Sequence, residues 1–226
     1  MTEETLAERD ALIGAALHHI PFDGWSATAL NNAASDLGFD KECVAREFPL
    51  GVVDAIRHFS QQADRYMVHS IEEEDLTKMR MHERVGLAVE TRLNFLEPHK
   101  EAVHRGMTWL AMPQNSMLGA RLLYQTVDDI WYAVGDRSAD FSFYTKRGLL
   151  AGVVGTTLLF WLDDRSEECS DTREFLSRRI SDVMKIHATR KRFEHTCDRV
   201  LSPLNVITGV IKKRYVQPLA GKSRVT

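Results

Sequence analysis

The chain has 226 residues, of which 44% are hydrophobic and 27% charged. This length and composition suit a protein that buries a sizeable core, so they exclude a wholly disordered chain and favour one compact body with a small N-terminal subdomain. The three cysteines, Cys43, Cys169 and Cys197, are far apart and form no Cys-x-x-Cys pair, so neither a disulfide framework nor a thiolate zinc site is predicted.

The charge is unevenly distributed along the chain, although the net charge is only -3. Residues 1–66 hold eleven acidic against five basic side chains, a balance of -6. From Lys185 onward ten basic side chains stand against two acidic ones, a balance of +8. Because nucleic acid repels an acidic surface, only the C-terminal end suits a polyanion or an anionic membrane.

The first twenty residues carry acidic side chains and no basic segment ahead of an apolar stretch. That pattern is typical of neither a secretory signal nor an organellar transit peptide. With unpaired cysteines, it predicts a reducing compartment, and we expect a bacterial-type cytoplasmic protein that is peripheral at the inner membrane.

The hydrophobic periodicity is helical almost throughout, without the alternating runs of strands, so an all-α fold is predicted. Proline and glycine fall at the joints between the helical segments, for example at Gly24, Pro49, Pro98, Pro113 and Gly135. The predicted helices span 5–19, 26–37, 41–47, 50–72, 77–96, 98–111, 115–134, 141–162, 171–195 and 203–215.

The first 70 residues resemble the helix-turn-helix arrangement of TetR-type proteins. The segment WSATALNNAASDLG would be the first helix of the motif, and KECVAREF would supply the recognition helix. Asp40, Glu42 and Glu47 lie on or beside that helix, where DNA phosphates would repel them. We therefore expect no nucleic-acid partner, and a ligand-sensing TetR-like regulator remains the alternative function.

No catalytic set, cofactor or metal site is predicted. Glu101 and His104 have the Glu-x-x-His spacing of di-iron bundles, but such a site needs a second motif and two further glutamates, which the sequence lacks. The other histidines are scattered on amphipathic helices without ligand spacing. A catalytic group assembled from distant residues stays open, yet the sequence favours a protein that is not an enzyme.

Three glycines, Gly148, Gly152 and Gly155, lie in an apolar run that ends at Leu162. Their spacing matches neither a dinucleotide fingerprint nor a phosphate-binding loop. The run is about 22 Å long as a helix, too short for a hydrocarbon core of about 30 Å. The sequence therefore predicts a buried helix whose glycines form a seam against a neighbouring backbone.

A pattern of residues at fixed spacings runs from Trp131 to Ile180. Its positions are Trp131, Tyr132, Gly135, Asp136, Ser138, Asp140, Phe141, Tyr144, Thr145, Lys146, Arg147, Leu150, Ala151, Thr156, Thr157, Asp164, Phe175, Leu176, Arg179 and Ile180. This pattern resembles the C-terminal signature of the coenzyme Q biosynthesis protein nine family. It departs from the family at Leu158, where some members carry an acidic residue, and at Ser142-Phe143.

The resemblance implies a TetR-like helical bundle that binds a polyprenylated quinone precursor or a phospholipid without catalysing a reaction. Such a protein would present the precursor to a hydroxylase of ubiquinone biosynthesis at a membrane, and we expect a homodimer. The aromatic pair Trp131 and Tyr132 of the family would contact the hydroxylase, and Asp128 shares their helix face at i, i+3 and i+4.

A lipid cavity is also implied, because apolar side chains of a TetR-like body would surround a pocket. Ordinary core packing is the alternative for each of them. The predicted lipid-binding residues are Trp109, Leu110, Met112, Met117, Leu118, Leu122, Leu150, Val154, Leu158 and Trp161.

The C-terminal segment predicts an amphipathic helix that binds an anionic membrane, with Ser202 as its cap and Pro203 at its first position. Packing on its own domain or on a dimer mate is the alternative. The predicted membrane-binding residues are Leu204, Ile207, Val210, Ile211, Lys212, Lys213 and Arg214. The predicted division of the chain is an N-terminal subdomain over 1–70, a lipid-binding body over 71–198 and a membrane-associating tail over 199–226.

Overall fold

The computed structural model describes residues 3–40, 42–136 and 142–184, and within them all regular structure is helical. The all-α prediction is therefore confirmed. The helices predicted up to residue 162 are present with small shifts of their ends. The helices are α1 (Glu3–Asp23), α2 (Ala27–Asp36), α3 (Cys43–Glu47), α4 (Val52–Glu72), α5 (Met81–Leu96), α6 (Lys100–Leu110), α7 (Ser116–Ala133), α8 (Ser142–Asp163) and α9 (170–184).

Helix α1 is longer than its predicted span of 5–19, because it continues through Pro21 to Asp23. Ile20 is fully buried in this extension. Gly24 then ends the helix in the left-handed region, with φ at +66°, and its N–H donates to the carbonyl of Ile20 at 2.9 Å. A glycine adopts this conformation without steric cost, so it rather than the proline sets the helix end.

Helix α1 packs against α2, α4 and α6, so the helix-turn-helix region shares a core with the rest of the described chain. The side chains of Leu12, Ile13 and Ile20 are completely buried there. His58 of α4 contacts Asp10 of α1 at 2.6 Å. Burial lowers the pKa of His58, while the adjacent Asp10 acts in the opposite direction.

The chain divides into two compact units, Met1–Ile180 and Ser181–Thr226. The predicted subdomain boundaries at residues 70 and 198 stay predictions. The helix predicted over 203–215 and all seven predicted membrane-binding residues lie outside the described residues. In the described part, no helix combines the length and the apolar character needed to span a membrane.

The predicted glycine seam of α8 is wrong. A Cβ added at Gly148 or Gly152 would meet no atom within 4 Å, and one added at Gly155 would meet only the Leu123 side chain, at 3.7 Å. The buried face of α8 instead carries Leu150, Val153, Val154, Thr157 and Trp161. The run is apolar on every side, so its periodicity could not show which face meets the core.

Substitution of Gly152 by alanine is expected to stabilise the protein by about 0.5–1 kcal/mol. The exposed position gives the new methyl group open space, and alanine loses less backbone entropy than glycine in a helix. Urea unfolding followed by circular dichroism measures the change. The control is Gly106→Ala, whose Cβ would lie 3.2 Å from Trp25 Nε1 and should be destabilising. A clear loss of stability in Gly152→Ala would contradict the exposed placement.

Candidate functional site

A cavity of about 360 Å³ lies among α4, α5, α6, α7 and α8. Pockets that bind small molecules have volumes of about 300–1,000 Å³, so this one is large enough for a small ligand. Most of its lining is apolar. The lining residues are Trp25, Ile56, Phe59, Ser60, Arg92, Leu96, Ala102, Val103, Gly106, Met107, Leu110, Ala111, Ser116, Gly119, Ala120, Leu122, Leu123, Thr126, Val154, Gly155 and Leu158.

One end of the cavity is polar and built around a buried ion pair. Arg92 is only 8% exposed, and its Nε donates to Asp64 Oδ1 at 2.7 Å. A second guanidinium nitrogen, Nη2, donates to Ser60 Oγ at 3.2 Å. The Thr126 hydroxyl donates to the Asp64 carboxylate, with oxygen–oxygen distances of 3.0 and 3.1 Å. Arg92 and Thr126 are thus joined through Asp64, and Ser60 is joined to them through Arg92.

The other end of the cavity lies at the connection between α6 and α7. Ala111, Ser116 and Ala120 line the cavity, and all three are exposed. Met112 and Met117 belong to the same region, with 42% and 71% of their surface exposed. The cavity therefore runs from a buried polar end to an apolar end near the surface.

The structure places four of the ten predicted lipid-binding residues in the cavity lining, namely Leu110, Leu122, Val154 and Leu158. The other six, Trp109, Met112, Met117, Leu118, Leu150 and Trp161, do not line it. Leu150 is buried in the core, at another position on α8. The resemblance pointed to positions on α6, α7 and α8, and these helices do contribute to the cavity lining. The face of each helix that meets the cavity depends on how the helices rotate against one another.

Trp161 is a structural residue of the core. It is 1% exposed, its Nε1 donates to Glu97 Oε2 at 2.7 Å, and Lys100 Nζ lies 5.0 Å from the ring centroid. A buried indole with a satisfied N–H and a cation on its face is well fixed.

The three predicted partner-binding residues lie at the C-terminal half of α7, which we call the α7 patch (Asp128, Trp131 and Tyr132). Asp128 is half-exposed and pairs with Arg147 at 2.6 Å. Trp131 is half-buried beneath Lys146, and among the described residues its Nε1 has no hydrogen-bond partner. Tyr132 is 70% exposed. Tyr132 is therefore the most accessible member of the patch.

A surface groove lies next to the α7 patch. Its lining residues are Asp64, Arg65, Val68, His69, Glu72, Asp129 and Tyr132. Burial, together with the neighbouring carboxylates of Asp64 and Asp128, raises the pKa of Asp129 to about 6. Asp64 lines this groove and also accepts hydrogen bonds from Arg92 and Thr126, which line the cavity. Asp64 therefore lies between the groove and the cavity.

Sequence reasoning missed Ser60, Asp64, Arg92 and Thr126. A usable signal was present, since Asp64 and Arg92 occupy positions within the buried stripes of two amphipathic helices. Charged residues are rarely buried without a partner, so two charges of opposite sign on core faces indicate a buried pair.

The described residues contain no group of three or more side chains suited to hold a metal ion. Glu101 binds Arg105 at 2.8 Å on the exposed face of α6, one turn away on the same helix. Cys43 is buried, and burial raises the pKa of its thiol. Neither residue belongs to the cavity.

The helix that corresponds to a DNA-recognition helix is α3, which has only five residues. Its Glu47 is buried, with Arg9 of α1 at 3.3 Å and Arg46 at 3.2 Å. Its short length, and the acidic Asp40 and Glu42 beside it, give α3 little surface for a DNA groove.

Comparison with known proteins identifies the same family that the sequence resembles. The family model described as COQ9 matches residues 117–187. The ubiquinone biosynthesis protein COQ9 of Rattus norvegicus is 35% identical over 210 residues, which are 90% of this chain and 66% of that protein. The human protein of the same name is 33% identical over 90% of this chain and 65% of its own length. COQ9-B of Xenopus laevis is 31% identical, with 90% of this chain and 71% of that protein covered.

Two solved structures share the fold at low sequence identity. A TetR transcriptional regulator from Nitrosomonas europaea has a TM-score of 0.65 at 20% identity, over 76% of this chain and 95% of that one. A TetR-family regulator from Streptomyces coelicolor has a TM-score of 0.53 at 17% identity, over 91% of this chain and all of its own. The predicted TetR-like fold is confirmed.

The predicted bacterial-type cytoplasmic location is wrong, because the COQ9 relatives are named as mitochondrial proteins. The prediction depended on the first residues of a chain that spans about two thirds of the length of the rat and human relatives. Extensive identity to these proteins and a matching family model lead to one conclusion: this chain belongs to the COQ9 family.

Proposed function

We propose that this protein is a non-catalytic accessory protein of ubiquinone biosynthesis that binds a polyprenylated quinone precursor. Its relatives are named ubiquinone biosynthesis proteins, which supports the pathway. The observation that carries the binding role is the 360 Å³ cavity, which is largely apolar and has one polar end. An insoluble ring with an isoprenoid tail matches that distribution of polarity.

The precursor would be supplied to a hydroxylase of the pathway that docks on the α7 patch. Support comes from the accessible Tyr132 and from the indole nitrogen of Trp131, which has no hydrogen-bond partner in the part of the chain that the structure describes. Aromatic side chains that are partly buried and partly exposed are common anchors in protein interfaces.

Membrane attachment and a homodimer complete the proposal. The basic tail, with a balance of +8 from Lys185 onward, favours anionic lipid, at about 1 kcal/mol for each basic residue near the surface. We expect truncation after Leu201 to abolish sedimentation with anionic liposomes. Equal sedimentation of the full-length and the truncated protein would contradict the membrane role.

The proposed homodimer is tested by analytical ultracentrifugation, and a monomer at micromolar concentration would contradict it.

Filling the cavity tests the binding role directly. Val154 is buried and lines the cavity, so Val154→Phe would place a ring in space that the ligand needs. We expect at least about a tenfold loss of affinity for a geranyl-substituted benzoquinone, the scale of about 1.4 kcal/mol. Isothermal titration calorimetry in dilute nonionic detergent measures the affinity.

Leu159→Phe is the matched control, because Leu159 is 59% exposed on the same helix and does not line the cavity. It should bind the probe as the wild type does. Leu158→Trp, at a half-buried lining position, repeats the test if Val154→Phe fails to fold. Unchanged affinity in a folded, filled variant would rule out the cavity as the binding site.

The alternative function is a ligand-sensing transcriptional regulator. The TetR-like fold supports it, but the surface around α3 does not. The five-residue α3 carries one basic side chain, Arg46, which pairs with Glu47 at 3.2 Å and with Asp40 at 3.7 Å, so this surface presents little positive charge to phosphates. Binding of duplex DNA that weakens steeply with added salt would support that alternative instead.

A further inference from the structure

We propose that Arg92, Ser60 and Thr126 form a head-group site that recognises oxygen atoms on the ring of the bound precursor, with its isoprenoid tail directed to the α6–α7 connection. The inference depends on the proposed function, because it assigns the two parts of that ligand to the two ends of the cavity. A ring bound in this way lies on the side of the molecule that carries the α7 patch.

The donors of Arg92 are the first argument for this site. A guanidinium has five N–H groups, and the bonds to Asp64 and Ser60 use two of them. The side chain is 8% exposed and lines an apolar cavity, where water is a poor substitute for a fixed partner. Buried donors are normally paired, so an acceptor on the ligand would complete the set.

The charge of the site selects the kind of acceptor. Asp64 already balances Arg92 at 2.7 Å, so the pair is neutral as a whole. A carboxylate or phosphate would add an uncompensated negative charge in a buried place. A phenol hydroxyl, a methoxy group or a quinone carbonyl would accept from the guanidinium without adding charge.

The hydroxyl groups of Ser60 and Thr126 add directionality. Ser60 Oγ accepts from Arg92, which leaves its own proton for a ligand carbonyl. Thr126 donates its proton to Asp64, so its oxygen can accept from a ligand hydroxyl. The site can therefore bind both a quinone and a hydroxylated ring.

The orientation follows from the opposite end of the cavity. There the lining is made of small or apolar side chains close to the surface, including Ala111 and Ala120, which suit a departing tail. At the polar end, Asp64 also lines the surface groove that contains Tyr132. The oxygen-bearing ring would thus be held next to the surface proposed for the hydroxylase, separated from it by Asp64 and its bonds.

The test compares two probes that share a geranyl tail on a six-membered ring, geranylbenzene, whose ring has no oxygen, and geranyl-substituted benzoquinone, whose ring has two carbonyl oxygens. We expect the wild type to bind the quinone at least about tenfold more tightly, as fits hydrogen bonds to a charged donor. Arg92→Lys keeps a cation for Asp64 but loses the planar fork. In Arg92→Lys and in Ser60→Ala, the preference for the quinone over geranylbenzene should fall below about threefold. The affinity of both variants for geranylbenzene should stay within about twofold of the wild-type value.

Arg105→Lys is the matched control, since Arg105 is half-exposed, pairs with Glu101 on the surface and does not line the cavity. It should keep the full preference. If wild type and Arg92→Lys prefer the quinone equally, Arg92 has only a structural role and the head-group site is wrong, while the proposed binding of lipid in the cavity stands. Failure of the wild type to bind either probe overturns the proposed function, and the head-group site with it.

Discussion

Asp64→Ala is expected to destabilise the protein by about 3–5 kcal/mol, because it leaves Arg92 as a buried cation without a counterion. The carboxylate is 4% exposed and accepts hydrogen bonds from both Arg92 and Thr126. Removing this carboxylate breaks the hydrogen bonds that join α4 to α5 through Arg92 and α4 to α7 through Thr126. Urea unfolding monitored by circular dichroism measures the loss of free energy.

Two further variants separate this effect from a general loss of charge. Glu101→Ala breaks the exposed pair with Arg105 and should cost less than about 0.5 kcal/mol. The double variant Asp64→Leu with Arg92→Met removes both buried charges and should recover most of the lost stability. If Asp64→Ala were as stable as Glu101→Ala, the buried pair would have no structural importance.

Trp131→Ala combined with Tyr132→Ala is expected to weaken binding of the pathway hydroxylase by about 2–4 kcal/mol, or roughly 30-fold to 1,000-fold. Tyr132 is 70% exposed, so its removal leaves the core intact. Trp131 is half-buried, and its loss also removes the ring beneath Lys146, 5.7 Å from Nζ to the centroid. Surface plasmon resonance with the immobilised hydroxylase gives the affinity.

Tyr124→Ala is the control, because Tyr124 lies on the same helix and is 47% exposed. It should bind the hydroxylase normally. Circular dichroism must show that the double variant keeps its helical content. A folded double variant with wild-type affinity would move the hydroxylase interface away from the α7 patch.

The helical periodicity of the sequence by itself determined which segments form helices. The breaks at Gly24, Pro49, Pro98 and Pro113 coincide with the ends of helices that the structure shows. The reason is local, since proline removes a backbone donor and glycine permits the left-handed turn that ends a helix. The motif from Trp131 to Ile180 also indicated the family that the comparisons identify.

The tertiary structure alone decided which faces of those helices meet. Gly152 was expected in a tight seam and lies in open space, while Val154, two residues further on, lines the cavity. Asp64, Arg92 and Thr126 are separated by 28 and 34 positions in the chain, and only the packing of α4, α5 and α7 brings them together. Periodicity fixes the angular positions of side chains around one helix, whereas the rotation of that helix against its neighbours depends on the shapes of all the side chains at the contact.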